Sequence, residues 1–231
     1  MKKMYVSASQ NLCKDTSNKV NCWKFFWLAM YAFLGLGLEV VILIGEMQVY
    51  GISLDQMSKG QNIVHWVLTC LAWGTMTYVL LNCSKKKYGF DSFNESQIPE
   101  RRNVIVAAIL VILLIIEATF AWKGFKPYKE FRGKGVLLFC IQYIYYLFET
   151  ALFVQIIIYG QKFGDMIFKK ENIPWGGIML ALTWGIAHVF TQDLFTGIET
   201  LFCAMIYGII YLVLKKNLKW SYLLIAIAFM I

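Results

Sequence analysis

The chain has 231 residues, of which 59% are hydrophobic and only 16% charged, and its net charge is +8. A soluble domain is nearer half apolar, and a water-soluble fold would have nowhere to hide this much hydrocarbon, so such a fold is excluded. The basic residues cluster between apolar runs rather than along one stripe, which excludes nucleic-acid binding and indicates loops at an anionic membrane face.

Met1–Asn21 is polar, has no apolar stretch and does not read as a cleavable signal peptide. A membrane-crossing helix needs roughly 20 apolar residues. Runs of this kind are predicted at 25–46, 62–83, 103–122, 136–160, 175–192 and 194–214, and a shorter one starts near Trp220. Trp23, Trp122, Trp175 and Trp220 stand at run ends, where an indole ring favours the interface. The predicted fold is an all-α, polytopic transmembrane bundle of about seven helices, multi-pass in a cell membrane. It divides into a polar N-terminal segment (1–24), three transmembrane helices (25–122), a basic-aromatic loop (123–135) and a transmembrane core (136–231).

Lysine and arginine lie outside the runs. Four segments share one side if every run spans: the N-terminal segment, the Lys85–Arg102 loop, the Lys162–Lys170 loop and the Lys215–Lys219 turn. Positive charge at helix ends marks the cytoplasmic side. The third loop departs from that pattern: Lys123, Lys126, Lys129, Arg132 and Lys134 alternate with Phe125, Tyr128 and Phe131, which predicts a segment lying on the surface. The cysteines (Cys13, Cys22, Cys70, Cys83, Cys140 and Cys203) form no C-x-x-C pair, and Cys13 and Cys22 have no histidine or third cysteine beside them. They read as reduced and structural. Small residues recur every fourth position in the fifth run (Gly177, Ala181, Gly185) and the sixth (Thr196, Thr200, Ala204, Gly208). Such flat faces pack closely in lipid, so these two helices are expected to touch across a tight turn at Gln192 and Asp193.

Polar groups inside the runs are costly and need a reason to be there. They are Glu39, His65, Glu117, Glu149, His188 and Glu199. Glu39 and Glu117 are expected to hydrogen-bond neighbouring helices, and His65 to sit near the interface. Glu149 lies 11 residues before Gly160, and His188 lies 14 residues after Pro174 on the returning run. At about 1.5 Å per residue their depths differ by only roughly 5 Å. Gln142, Tyr145 or Tyr146, and Glu149 recur at helical spacing and form a polar stripe. A carboxylate held out of water suits proton abstraction, and a nearby imidazole can hold the same water or share a metal ion with it. The same pair also suits a purely structural hydrogen bond. Glu199, one turn from Thr196, is placed to join the His188 site as a further ligand.

Over about Tyr143–Trp220 the sequence resembles the CPBP intramembrane proteases, the type II CAAX prenyl protease or Abi family. Glu149-Thr150-Ala151-Leu152-Phe153-Val154 is similar to a motif of paired glutamates followed by an aromatic and an arginine. Trp184-Gly185-Ile186-Ala187-His188 is similar to a motif of an aromatic, a glycine and a histidine. The resemblance implies an intramembrane endopeptidase in which a Glu/His-activated water cleaves peptide bonds of membrane-associated or prenylated substrates. Glu149 would be the general base, and His188 would orient the water or a divalent metal such as zinc held by Glu149 and His188. Trp184, Thr150, Tyr145, Tyr146 and Glu199 would support them. This chain departs from the pattern at Thr150 (the second glutamate), at Val154 (the arginine), and at Ala226 and Met230, where polar groups of the last helix are expected. Those departures suit a member that binds without cutting, in bacteriocin or peptide self-immunity. A third reading is a small proton- or ion-coupled transporter using Glu39, Glu117 and Glu149. The expected partners are the lipid bilayer and a peptide or lipid-modified protein, with no nucleic acid.

Overall fold

A computed structural model describes the backbone of residues 2–94 and 97–231 and the side chains from residue 22 onward, apart from 54, 95 and 96. Cys13 therefore lies outside the described side chains. The described residues form seven helices and no strand: α1 (Lys2–Tyr50), α2 (Lys59–Tyr88), α3 (Arg101–Ala121), α4 (Lys126–Phe168), α5 (Trp175–Thr191), α6 (Leu194–Val213) and α7 (Leu218–Met230). The stretch Cys22–Tyr50 and helices α2, α3, α4 and α6 are long and apolar enough to cross a membrane; α5 and α7 are shorter. Large apolar side chains such as Leu34, Val41, Leu113 and Phe202 face outward, as they do in a protein solvated by hydrocarbon. The chain is a helical-bundle membrane protein.

Local chemistry sets the helix ends. Ser58 and Gln61 form a reciprocal capping box at the start of α2, and Gly89 closes that helix in the left-handed region at φ 66°. Asp193 caps α6 and Asn217 caps α7. Helix α4 is interrupted once, at Gly135 (φ 76°, ψ 173°), a conformation open to glycine and strained for residues with a Cβ.

Helix α4 is the hub and packs on α1, α2, α5 and α7. Its Leu152, Phe153, Ile156, Ile157 and Tyr159 are completely buried. Helices α5 and α6 touch through their small residues: a Cβ added to Gly177 would meet the Gly208 Cα and the Ala204 carbonyl at 3.0 Å. Gly160 and Gly164 of α4 likewise receive Met179 and Trp175 of α5. Glycine thus lets α5 approach two neighbours closely.

Contacts between helix ends fix their directions. At one end Lys24 lies over the Tyr88 ring, Asn103 Nδ2 donates to the Val213 carbonyl at 2.6 Å, and Lys216 pairs with Asp165 at 2.6 Å. At the other end Glu46 meets His65, Lys126 Nζ donates to the Phe229 carbonyl at 2.6 Å, and the Tyr143 hydroxyl donates to the Met230 carbonyl at 3.1 Å. Successive helices therefore run in alternate directions.

One expectation needs correction. Residues 123–135 are not a loop on the surface: α4 begins at Lys126. Lys126 and Glu130 are buried, while Phe125, Tyr128 and Phe131 are exposed. This stretch turns Lys126 and Glu130 to the protein, where the bundle interior holds their partners, and leaves its rings outward together with Lys123, Lys129 and Arg132.

Candidate functional site

The half of the bundle at the Lys126 end of α4 holds a cavity of about 430 Å³. Glu149, His188, Trp184, Tyr145, Tyr146 and Glu199 all contribute to its wall. Helical spacing explains the α4 part: Gln142, Tyr145, Tyr146 and Glu149 recur at three and four residues and share one face. On α5 the helix widens into a π-turn over Ala181–Gly185, where the Ile186 N–H reaches back to the Ala181 carbonyl. Such turns insert one residue and re-aim the side chains around them. Trp184 lies within this turn, and His188 follows one turn later on the same face.

The His188 Nδ1 lies 2.8 Å from the Trp184 carbonyl. A carbonyl only accepts, so Nδ1 carries the hydrogen and the neutral ring keeps its lone pair on Nε2. The two rings meet edge to face with centroids 4.7 Å apart. Trp184 also packs on Phe153 and Phe229. Trp184 thus packs on the imidazole and shares the cavity wall with the acid. Thr150 is completely buried and its hydroxyl donates to the Tyr146 carbonyl of its own helix at 2.8 Å, so it serves α4 rather than the cavity.

Three polar groups surround this centre. The first joins α1, α2 and α4: His65 Nδ1 meets Glu46 at 2.7 Å, His65 Nε2 lies 3.6 Å from Glu39, and the Tyr145 hydroxyl donates to Glu39 at 2.6 Å. His65 is only 5% exposed, so the neighbouring helices enclose its ring. The second centres on Glu130, which accepts from the hydroxyls of Tyr146 (2.7 Å) and Tyr143 (3.1 Å) and from Gln142 Nε2 (3.1 Å). Lys126 lies over the Tyr146 and Phe229 rings and within electrostatic reach of Glu130 and Glu149. The third lies between α3 and α6: Glu117 and Glu199 line the same cavity, and Cys203 donates to Glu117.

The residues do not form a metal site. Among the described residues no three histidine, cysteine, aspartate or glutamate side chains converge in a way that could hold an ion. Glu149 and His188 would supply two ligands where catalytic zinc takes three from the protein, and Glu199 does not converge with them as a third.

The sequence reading missed Lys126, Glu130, Glu46 and Tyr207, all part of this polar interior. Two signals for them existed. Lys126, Glu130 and Lys134 recur every fourth residue, which is one helix face, and Glu39 and Glu46 are seven apart, which is two turns of another. Compared with protein-family models, curated proteins and solved structures, the chain returned no match.

Proposed function

We propose that the chain is an intramembrane endopeptidase that uses Glu149 and His188 to hydrolyse peptide bonds of membrane-associated substrates, multi-pass in a cell membrane. The observation that carries this reading is that the two side chains share one cavity, with Trp184 packed on the His188 ring in the same wall. Glu149 takes a proton from water as the oxygen attacks the peptide carbonyl carbon, and His188 Nε2 holds that water in place. Lys126 and the Tyr207 hydroxyl, both on the wall, are the donors available to the developing oxyanion. Collapse breaks the C–N bond, and the Glu149 carboxylic acid returns its proton to the leaving amine, giving a carboxylate and an amine. A resemblance to CPBP proteases supports this assignment through the Glu149 and Trp184–His188 segments.

A second reading is favoured by one feature. Ala226 and Met230 offer no polar side chain, and the Tyr145 and Tyr146 hydroxyls are already committed to Glu39 and Glu130. A cavity poor in unspent donors suits a protein that holds a peptide without cutting it, as in self-immunity. The test is turnover by the detergent-purified protein on a panel of peptide and prenylated substrates, with Glu149→Gln and His188→Ala beside it. Cleavage lost in both variants is the expected result. Peptide binding with no cleavage by the unmodified protein would replace the first reading with the second.

A further inference from the structure

A groove of about 270 Å³ lies between α2, α4 and α7 and shares no wall residue with the Glu149–His188 cavity. Leu81 of α2, Ala151 and Val154 of α4, and Leu218 and Tyr222 of α7 line it. Val79 and Leu223, their neighbours on α2 and α7, are half exposed, as side chains solvated by hydrocarbon are.

The walls of this groove are apolar. The Thr77 hydroxyl and the Gln155 Oε1 lie below its surface, and Gln155 Nε2 donates to the Thr77 carbonyl at 3.2 Å. The Tyr222 hydroxyl is spent on the Leu147 carbonyl at 3.0 Å. A peptide strand laid here would leave its backbone N–H and C=O groups unpaired. Each of the three helices contributes about one turn, roughly 6 Å of height. An α-helix with its side chains is about 10–12 Å across, too wide for a groove of that height and volume. A hydrocarbon chain is narrow and needs no hydrogen bond.

One charged group stands in the wall. Lys219, in the first turn of α7, is exposed and has no hydrogen-bond or ion-pair partner among the described residues. Trp220 beside it is 40% exposed, and an exposed indole at a helix end marks the headgroup level. This is the bundle end where Lys24 meets Tyr88 and Lys216 meets Asp165, and it also carries Lys85–Lys87 and Arg101–Arg102. A lysine there lays its stem along apolar surface and lifts its ammonium to a phosphate, and a cluster of such charges gathers lipids of net negative charge.

We propose that the groove between α2, α4 and α7 holds one acyl chain of a phospholipid of net negative charge, with the lipid phosphate on Lys219.

The test reconstitutes the full chain in phosphatidylcholine vesicles with a trace of lipid carrying a photoreactive diazirine in one acyl chain. The headgroup of that lipid is phosphatidylglycerol in one arm and phosphatidylcholine in the other. Labelled residues are located by mass spectrometry of peptides. Phosphatidylglycerol label should concentrate on Ala151–Gln155 and Leu218–Tyr222, above the level on the outward-facing Leu34, Leu113 and Phe202. Lys219→Gln removes one surface lysine and should lower that groove label about fivefold, to the level given by phosphatidylcholine. Lys59→Gln, an exposed change at the other end of α2, should leave it unaltered. Label spread evenly over the outward faces of all helices, equal groove label by the two lipids, or groove label unaffected by Lys219→Gln would each overturn the proposal. An unlabelled groove in a protein that elutes as a dimer would also overturn it and give the groove to a second copy of the chain.

Discussion

The Trp184 carbonyl accepts the Nδ1–H of His188 at 2.8 Å, from within the π-turn over Ala181–Gly185. One residue thereby sets the tautomer of the imidazole with its backbone and packs its ring on His188, Phe153 and Phe229. Two substitutions separate these roles. Trp184→Phe keeps an aromatic ring against Phe153 and Phe229 and leaves the carbonyl bond intact, but deletes the indole N–H. Because the ring contacts and the carbonyl bond to His188 both survive, turnover and melting temperature should stay close to those of the unmodified protein. Trp184→Ala empties a buried volume and should cost about 3–5 kcal/mol of stability as well, read by thermal unfolding in detergent.

Chelation should leave turnover unchanged. The ligand set falls short of three, so dialysis against a strong chelator followed by assay is expected to match the untreated protein within error. Loss of activity restored only by added zinc would show that the side chains rearrange around an ion.

Close approach of α5 to its neighbours makes some glycines irreplaceable and others indifferent. Gly208→Leu would drive a side chain into the Gly177 backbone, and overpacking of this kind costs about 1–3 kcal/mol or more. Gly45→Ala, with open space around the added carbon, should be neutral or gain roughly 1 kcal/mol from helix propensity. Parallel melting curves of the two variants check the contrast.

Among the described residues His65 is the base that faces both Glu39 and Glu46 of α1. His65→Leu leaves Glu39 half-exposed and still bonded by Tyr145 but the buried Glu46 facing an apolar side chain, and a buried polar group left unpaired costs about 1–3 kcal/mol. The triple replacement Glu39→Gln, Glu46→Gln and His65→Leu should recover much of that loss, which a comparison of unfolding temperatures would reveal.

Asp193 caps α6 outside the spans. The Thr196 hydroxyl and the Thr196 N–H both donate to its carboxylate, at 2.6 and 3.0 Å, and hold the carboxyl below its usual range. A carboxyl depressed in the folded state adds stability above its unfolded value and loses it as pH falls through the folded value. The melting temperature of the unmodified protein should therefore drop on acidification through the carboxylate range. In Asp193→Asn that drop should be shallower.

Much of this molecule is written locally. Seven apolar runs, their tryptophan ends, the capping residues Asp193 and Asn217 and the small-residue faces of α5 and α6 are each set by solvent preference or steric fit within a few residues, so the sequence alone determined the helices, their order and the α5–α6 contact. The polar stripe ending at Glu149 was legible for the same reason. Whether residues 123–135 form a loop was not legible, because a segment of alternating charges and rings suits either a surface strip or a helix that turns two of its charges, Lys126 and Glu130, inward. Only the bundle, by supplying Phe229, Tyr143 and Tyr146 as partners for Lys126 and Glu130, decides between them. Likewise the grouping of His65 with Glu39 and Tyr145, and of Glu117 with Glu199, joins residues from different helices, and no spacing along one chain encodes which faces of two helices will meet. Hydropathy determined where this chain crosses lipid; packing alone decided which of its buried polar groups face each other.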